Sequence, residues 1–453
     1  MLSKIGNKII DHHLVNSLLN VSMGIEIERM RSDQSGNMKL TPHPDGAGSP
    51  FTNPWITKDY LESMTEIVTP ALNDLDSLHF DYALTRVLRR VLPDGELLWP
   101  LSMPAILPKK KDKSLLAIEP PEKQAYFESI CERYGITRGA PCGVHINFSI
   151  EDAVLECLVN NSDAELADIV TVRNNIYPNI AQGFIKYRWL LTYLFGASPV
   201  AQQNYFDKVA GPEKPIRSIR QSHFGFIDSF DVDYSSVDKY VDKILTAFEN
   251  GEIAGVAEFH GSVRFRGGKE LDALKTDGVK YLELRMFDLD PTEDVSIKTT
   301  TLRFVRLLIA YFMMTDGDKL SGDIIKQLDE ADQKNDRVAL ESPDEHCEYE
   351  NEAKALINNL RSFTNQLELG PEYLEVIDMV TDWIDHPTHT ISGQLLPQIK
   401  DNSLLEYGLK QANRFQSDAL AGKYVFNGFK TGDGKLSVSE LKQDLFNGIW
   451  DAK

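Results

Sequence analysis

The stretch "MGIEIERMR", residues 23–31, alternates as a strand with one apolar face and one charged face. Successive strand side chains point to opposite sides, so Ile25 and Ile27 share one face and Glu26 and Glu28 the other. Two like charges side by side repel, and the repulsion grows as water is withdrawn. A solvated edge would relieve it, and so would a bound cation.

Two further stretches repeat the pattern. In "GVHINFSI", 143–150, Val144, Ile146, Phe148 and Ile150 face one way and His145, Asn147 and Ser149 the other. In "YLELRMFDLD", 281–290, Glu283 and Arg285 share a face while Leu282, Leu284 and Met286 pack opposite. A sheet normally turns its apolar side to the core and its other side to water. Here that other side concentrates metal-ligand types rather than the usual mixture of Thr, Lys and Glu. Hard oxygen ligands with a single imidazole suit Mg²⁺ or Mn²⁺ better than zinc. An arginine among them suggests phosphate. The chemistry alone points to metal-dependent phosphoryl transfer.

Strand-like segments fall at 23–31, 143–150, 252–266 and 279–289, without regular βα alternation, which implies an α+β fold with an antiparallel sheet. Residues 3–20 read as an amphipathic helix, and 295–330 and 351–420 as helices joined by the acidic "ESPDEHCEYENE". The stretch "ITKDYLESMTEIVTP", 56–70, reads as a helix entering at Thr57 to Asp59. Asp59 and Glu62 would form its capping box, and Glu66, about two turns on, would share the side of Asp59. There is no repeat at a fixed period, and "PKKKDK", 108–113, reads as a solvated loop. "DGKLSVSE", 433–440, fits the second half of a calcium-binding loop. The first and third ligand positions would be Phe429 and Thr431, and Phe offers no oxygen, so a turn into a capped helix is expected instead.

The 453 residues carry 48 Lys plus Arg against 68 Asp plus Glu, a net charge of -20. Such a surface argues against nucleic acid or an anionic membrane as the main partner. The four cysteines form no CxxC pair and read as thiols of a reducing compartment. Lys4, Lys8, Asp11 and two histidines stand where a signal peptide needs an apolar run. "LLIAYFMM", 307–314, is too short to span a bilayer. These features predict a soluble cytoplasmic protein.

A set of stretches recurs in one known order: "GIEIERMR", "TPHPDGAGS", "WITKDYLESMTEIVTP", "LLWPLSMP", "GVHINFS", "YLFGASP", "SIRQSHFGF", "VRFRGG", "YLELRMFDLDP" and "IDHPTHTISGQLL". On these the chain resembles the bacterial-type glutamate–cysteine ligases (γ-glutamylcysteine synthetases), which also form the first half of bifunctional glutathione synthetases. The resemblance implies a glutamine synthetase-like α+β fold, with a curved antiparallel sheet, one open active-site face and surrounding helices. It implies one catalytic domain over 1–425, its helical part at about 295–420, and a short tail over 426–453. No ATP-grasp stretch follows, so a second, glycine-adding activity is not expected.

The resemblance further implies a step in glutathione biosynthesis, with ATP as co-substrate and two or three Mg²⁺ ions (or Mn²⁺) on the open face. The γ-carboxylate of glutamate takes the γ-phosphate of ATP, and an amine then displaces phosphate from the γ-glutamyl phosphate. Carried over residue by residue, Glu26, Glu28, Asp59, Glu66, His145 and Glu283 match metal ligands. Arg285, beside Glu283 at the reacting centre, matches the arginine that meets the transferring phosphoryl group. Arg220 matches the arginine that holds the α-carboxylate of glutamate; Asn147, Tyr60, Phe226 and His260 fall on the substrate side.

Three departures accompany these matches. The family has tyrosines where this chain has Phe226 and His260, and an arginine near the site mouth where it has Phe127. Both tyrosines contact the acceptor amino acid. Cysteine is the family's default acceptor; the departures raise the alternative of another amine, one without a carboxylate included. A silent ATP- or glutamate-binding relative is disfavoured by the complete ligand set.

Overall fold

The computed structural model describes residues 2–72, 74–161, 168–202, 204–206, 210–226, 230, 232–316, 320, 322–422, 428–429 and 437–446, without the side chains of 74 and 75. Among the described residues, seven strands form one sheet: β1 (Ser22–Asp33), β2 (Ile56–Lys58), β3 (Met64–Val68), β4 (Glu96–Leu98), β5 (Gly143–Ser149), β6 (Val263–Arg266) and β7 (Tyr281–Asp288). The order is β2-β3-β1-β5-β7-β6, with β4 pairing the end of β1, and every pair is antiparallel. The sheet is open, as the α+β reading requires.

Alternation sorts its two faces. Ile25, Ile27, Val144, Ile146, Leu282 and Leu284 lie on the reverse, all fully buried. Helices cover that side: Phe148 meets Phe184 of the helix Ile169–Lys186 at 6.1 Å between ring centres, and Phe184 meets Phe312 of Thr299–Met314 at 5.4 Å. The second pair is packed edge to face, an arrangement that adds stabilisation beyond the area it buries. The opposite face is left for polar residues.

The helix expected over 56–70 is not formed. The segment is a hairpin in which Thr57 faces Glu66 and Lys58 faces Thr65. Ile56, Thr57, Thr65, Ile67 and Val68 are β-branched and fit a pleated surface better than a helix. Glu62 caps no helix; it accepts from Lys58 Nζ (3.1 Å) and the Ile118 N–H (2.9 Å). The N-terminal helix divides into Lys4–Asp11 and Val15–Leu19, with His13 between them at φ 57°. Of 252–266, only β6 is strand, preceded by the single turn Val256–Glu258.

The expected helical regions contain Thr299–Met314, Ile324–Ala339, Glu350–Gln366, Pro371–Asp385 and Leu405–Ala421. Most of the calcium-loop-like stretch, Thr431 and Gly434 included, lies outside the described residues. Its end is the capped helix expected there: over Val438–Phe446, Ser437 and Glu440 exchange hydrogen bonds of 2.7 and 3.2 Å. Leu441 and Leu445 join Phe429, Phe80, Ile56 and Ile67 in a second apolar cluster behind the β2–β3 hairpin. No helix among the described residues is long and apolar enough to cross a membrane.

Candidate active site

Antiparallel register brings together residues that are far apart in sequence. Glu26 faces His145, Glu28 faces Glu66, and Glu283 lies between Asn147 and Arg264. His145 stands at the centre. Its Nδ1 is 3.3 Å from Glu26 Oε2 and 3.9 Å from Glu283 Oε1, and its Nε2 is 3.5 Å from Glu28 Oε1. Asn147 donates to Glu26 at 2.9 Å, the Gly143 N–H to Glu28 at 2.7 Å, and Thr57 to Glu66 at 3.0 Å.

A bulge in β7 shapes the middle of the face. Val144 pairs with Phe287 and Ile146 with Leu284, so Arg285 and Met286 both stand opposite His145. An extra residue of this kind bends the strand and re-aims its side chains. Arg285 Nη1 comes within 3.3 Å of His145 Nδ1 and pairs with Glu283.

The face is electrically divided. Arg285, Arg264 and Arg266 occupy the β6–β7 side, with Arg266 Nε 2.5 Å from Glu283 Oε2. Burial would raise the Glu283 carboxyl, but Arg285, Arg264 and Arg266 hold it well below the usual carboxylate range. Glu28 is also held low against its burial, by His145, Arg220 and Arg285. At the β2–β3 hairpin the sign reverses. Burial and the Glu28 charge push Asp59 up to about 7, and burial with Glu26 and Asp59 raises Glu66 well above its ordinary value.

This donor set fits divalent cations. Clustered carboxylates that resist ionising together do so for want of positive charge. His145 Nε2 is buried and makes no hydrogen bond. Ligand atoms of Glu26, His145 and Glu283, and of Glu28, Glu66 and His145, lie within 4.8 Å of one another in each group.

These residues line a cavity of about 570 Å³ whose other wall is aromatic, built from Tyr60, Tyr126, Phe127, Phe226 and His260. Phe226 lies 4.1 Å from the His260 ring and 4.9 Å from Tyr134, and Tyr60 meets Phe127 edge-on at 5.3 Å. His260 Nδ1 is 2.6 Å from the Glu258 carbonyl. A carbonyl can only accept, so Nδ1 carries the hydrogen and Nε2 the lone pair. Burial, Arg285 and Arg264 lower this imidazole to about 3, so it is neutral near pH 7.

The glutamate-cysteine ligase family profile matches residues 7–254 and 250–335. The chain belongs to the glutamate–cysteine ligase family. It is 34% identical over 435 residues to the glutathione biosynthesis bifunctional protein GshAB of Streptococcus thermophilus, covering 95% of this chain and 56% of that protein. The GshAB of Enterococcus faecalis is 32% identical over 418 residues, 91% of this chain and 55% of the relative. The chain thus spans about half the length of the curated relatives it matches. Its fold matches a bifunctional glutathione synthetase from Pasteurella multocida with a TM-score of 0.86 at 28% identity, over 93% of this chain and 56% of that one. It also matches a glutamate–cysteine ligase from Francisella tularensis, solved with AMP, at TM-score 0.79 and 22% identity, over 89% and 90% of the two chains.

All twelve residues singled out on the ligase resemblance lie on or beside this face. Asp59 and Glu66 come together through the β2–β3 hairpin rather than along a helix. Arg220 lines the cavity with its guanidinium held against β7, donating to the carbonyls of Phe287 (3.0 Å) and Arg285 (3.3 Å). Gly143 lies under it and has no room for a Cβ. From sequence, Arg264 and Arg266 enter only as neighbours able to supply the acceptor contacts missing at Phe226 and His260, not as partners of Glu283. The signal was available: in "VRFR" the alternation buries Val263 and Phe265 and turns both arginines to the face of Glu283.

Proposed function

We propose that this chain is an ATP-dependent carboxylate–amine ligase that activates glutamate as γ-glutamyl phosphate and passes the γ-glutamyl group to an amine. The observation that carries this reading is the divided face, with carboxylates along β1–β3, three arginines along β6–β7, and His145 and Glu283 between them. A triphosphate needs positive charge on every side. Glu26, Glu28, Asp59, Glu66, His145 and Glu283 would hold Mg²⁺ or Mn²⁺, which supply charge neutralisation to the phosphates.

Arg285, fixed by Glu283, is the catalytic cation aimed at the phosphoryl group in transfer. Arg264 and Arg266 extend that positive side. Arg220 has spent three N–H bonds on β7, leaving its Nε–H and one Nη2–H as a side-on pair suited to a carboxylate, here the α-carboxylate of glutamate. Asn147 orients Glu26. ATP and glutamate belong to the cytoplasm, the compartment this reading requires.

Cysteine is the default acceptor in the family. The aromatic wall favours a second reading, in which the amine carries less negative charge and more apolar surface. Phe226 offers no hydroxyl, and His260, whose Nδ1–H goes to the Glu258 carbonyl, is a neutral ring in place of a phenol. The test is phosphate release with glutamate, ATP and Mg²⁺ across a panel of amines that includes cysteine. Glutamate-dependent release with at least one amine, and the matching γ-glutamyl amide by mass spectrometry, is expected. Release from ATP alone, or none with any amine, would overturn the reading.

A further inference from the structure

Away from the cavity, the helix Pro371–Asp385 ends in another convergence of metal-ligating side chains. Asp382 lies in its last turn, His386 caps it, and His389 closes the single turn Pro387–His389. Pro387 cannot continue the helix, so the chain folds over and returns His389 to the same carboxylate. His386 Nδ1 is 3.0 Å from Asp382 Oδ1, and His389 Nδ1 is 2.7 Å from Asp382 Oδ2. The imidazoles are 5.0 Å apart, and one ligand atom from each of the three residues lies within 4.8 Å of the others. Each side chain is close to half exposed.

Three features favour a cation here. The last turn of a helix presents carbonyls and the negative end of the dipole. The neighbouring acids Asp378 and Asp385 are paired with Arg361 (2.7 Å) and Lys354 (2.8 Å), whereas both imidazoles turn to Asp382. The donor set also differs from that of the cavity. Two imidazoles and one carboxylate are the three ligands zinc takes with water in the fourth position, and imidazole also suits cobalt, nickel and copper. A hard ion such as Mg²⁺ would find a single carboxylate and no oxygen cage.

We propose that Asp382, His386 and His389 form a surface site for a divalent transition metal, with water completing its shell, which ties the end of the helix to the turn that follows. Binding exchanges the two Nδ1–H···O hydrogen bonds for metal–ligand bonds. Each ring binds through Nδ1 with its remaining hydrogen on Nε2, so a neutral imidazole only changes tautomer through solvent while an imidazolium must first release a proton to the buffer, and affinity falls as the solution is acidified.

The experiment must separate this site from the cavity. The full chain is stripped with chelator, supplied with excess Mg²⁺, and titrated with Co²⁺ by equilibrium dialysis and visible absorption. One equivalent of Co²⁺ is expected, with the bands of a low-coordinate nitrogen–oxygen site, displaced by Zn²⁺. The double variant His386→Ala/His389→Ala should lose that equivalent with an unchanged circular dichroism spectrum, while Glu26→Gln, altered only in the cavity, should keep it. Asp382→Asn, nearly isosteric, should weaken Co²⁺ by more than the roughly 10–100-fold that losing an outer-shell partner costs. If the double variant binds as the parent does, or if Glu26→Gln abolishes all Co²⁺ uptake, the proposal is overturned and the three side chains are a hydrogen-bonded helix cap only.

Discussion

Replacing Glu283 with glutamine should destabilise the metal-free protein, whereas the same change at Glu66 should not. Glu283 is fully buried and pairs with Arg285 and Arg266, with Arg264 opposite it in register. The amide would leave three guanidinium groups without their shared anion. Losing one partner of a buried ion pair costs about 3–5 kcal/mol. Arg266 is 35% exposed and Arg285 18%, so water recovers part of this and the lower end applies, about 3 kcal/mol. At roughly 2.1 cal/mol/K of unfolding entropy per residue, that is a fall in Tm of about 3 °C for a chain of this length. Burial and the like charges around Glu66 push its carboxyl well above the ordinary value, so removing its charge relieves repulsion, and glutamine keeps the acceptor that Thr57 uses. Its Tm in chelator should hold or rise. Thermal unfolding of both variants in EDTA reads the contrast, and both should lose ligase turnover in Mg²⁺. Equal losses of Tm would refute the division of the face into a carboxylate side that needs cations and a Glu283 that supplies the arginines' anion.

Mg²⁺ should raise Tm more near pH 8 than near pH 5.5. Asp59 is raised from 3.8 to about 7, so in the metal-free fold its contribution to stability falls as pH rises through that window, and a cation that takes the anion reverses the loss. Glu28 and Glu283 are held low and add no slope there, so equal Mg²⁺ shifts at both pH values would contradict the assignment. Arg220→Ala should raise the KM for glutamate far more than that for ATP, by the equivalent of about 1.5–3 kcal/mol for one charged contact; Arg220→Lys, which keeps charge but not the fork, should recover little of it. Phe226→Tyr with His260→Tyr should raise kcat/KM for cysteine relative to the best amine of the panel, and no change in that ratio would remove the aromatic wall from acceptor choice.

The sheet was legible because its core strands alternate cleanly. "GIEIE", "GVHINFS" and "YLELRM" each declare a buried and a polar side, and the period of two fixes which residues share the face. The β2–β3 hairpin is masked in the sequence because Asp59, Glu62 and Glu66 also fit a helix, with a capping spacing and a shared side. Five β-branched residues outweighed that pattern once pairing with β1 was available. The β7 bulge left no mark in the sequence, since register belongs to two strands and not to one. Arg264 and Arg266 were not matched to Glu283 for a related reason. The alternation of "VRFR" puts both on one face, but their pairing with Glu283 belongs to two strands and is written in neither alone. The positions of Asp59 and Glu66 came from the family resemblance, and the hairpin supplies the physical cause.

The central claim is that a carboxylate oxygen of glutamate attacks the γ-phosphate of ATP on this face. The direct test is turnover with glutamate carrying ¹⁸O in its γ-carboxylate, together with ATP, Mg²⁺ and the best amine found. One ¹⁸O should appear in each phosphate released, with the other retained in the γ-glutamyl amide. Phosphate free of ¹⁸O at the same turnover would contradict the account.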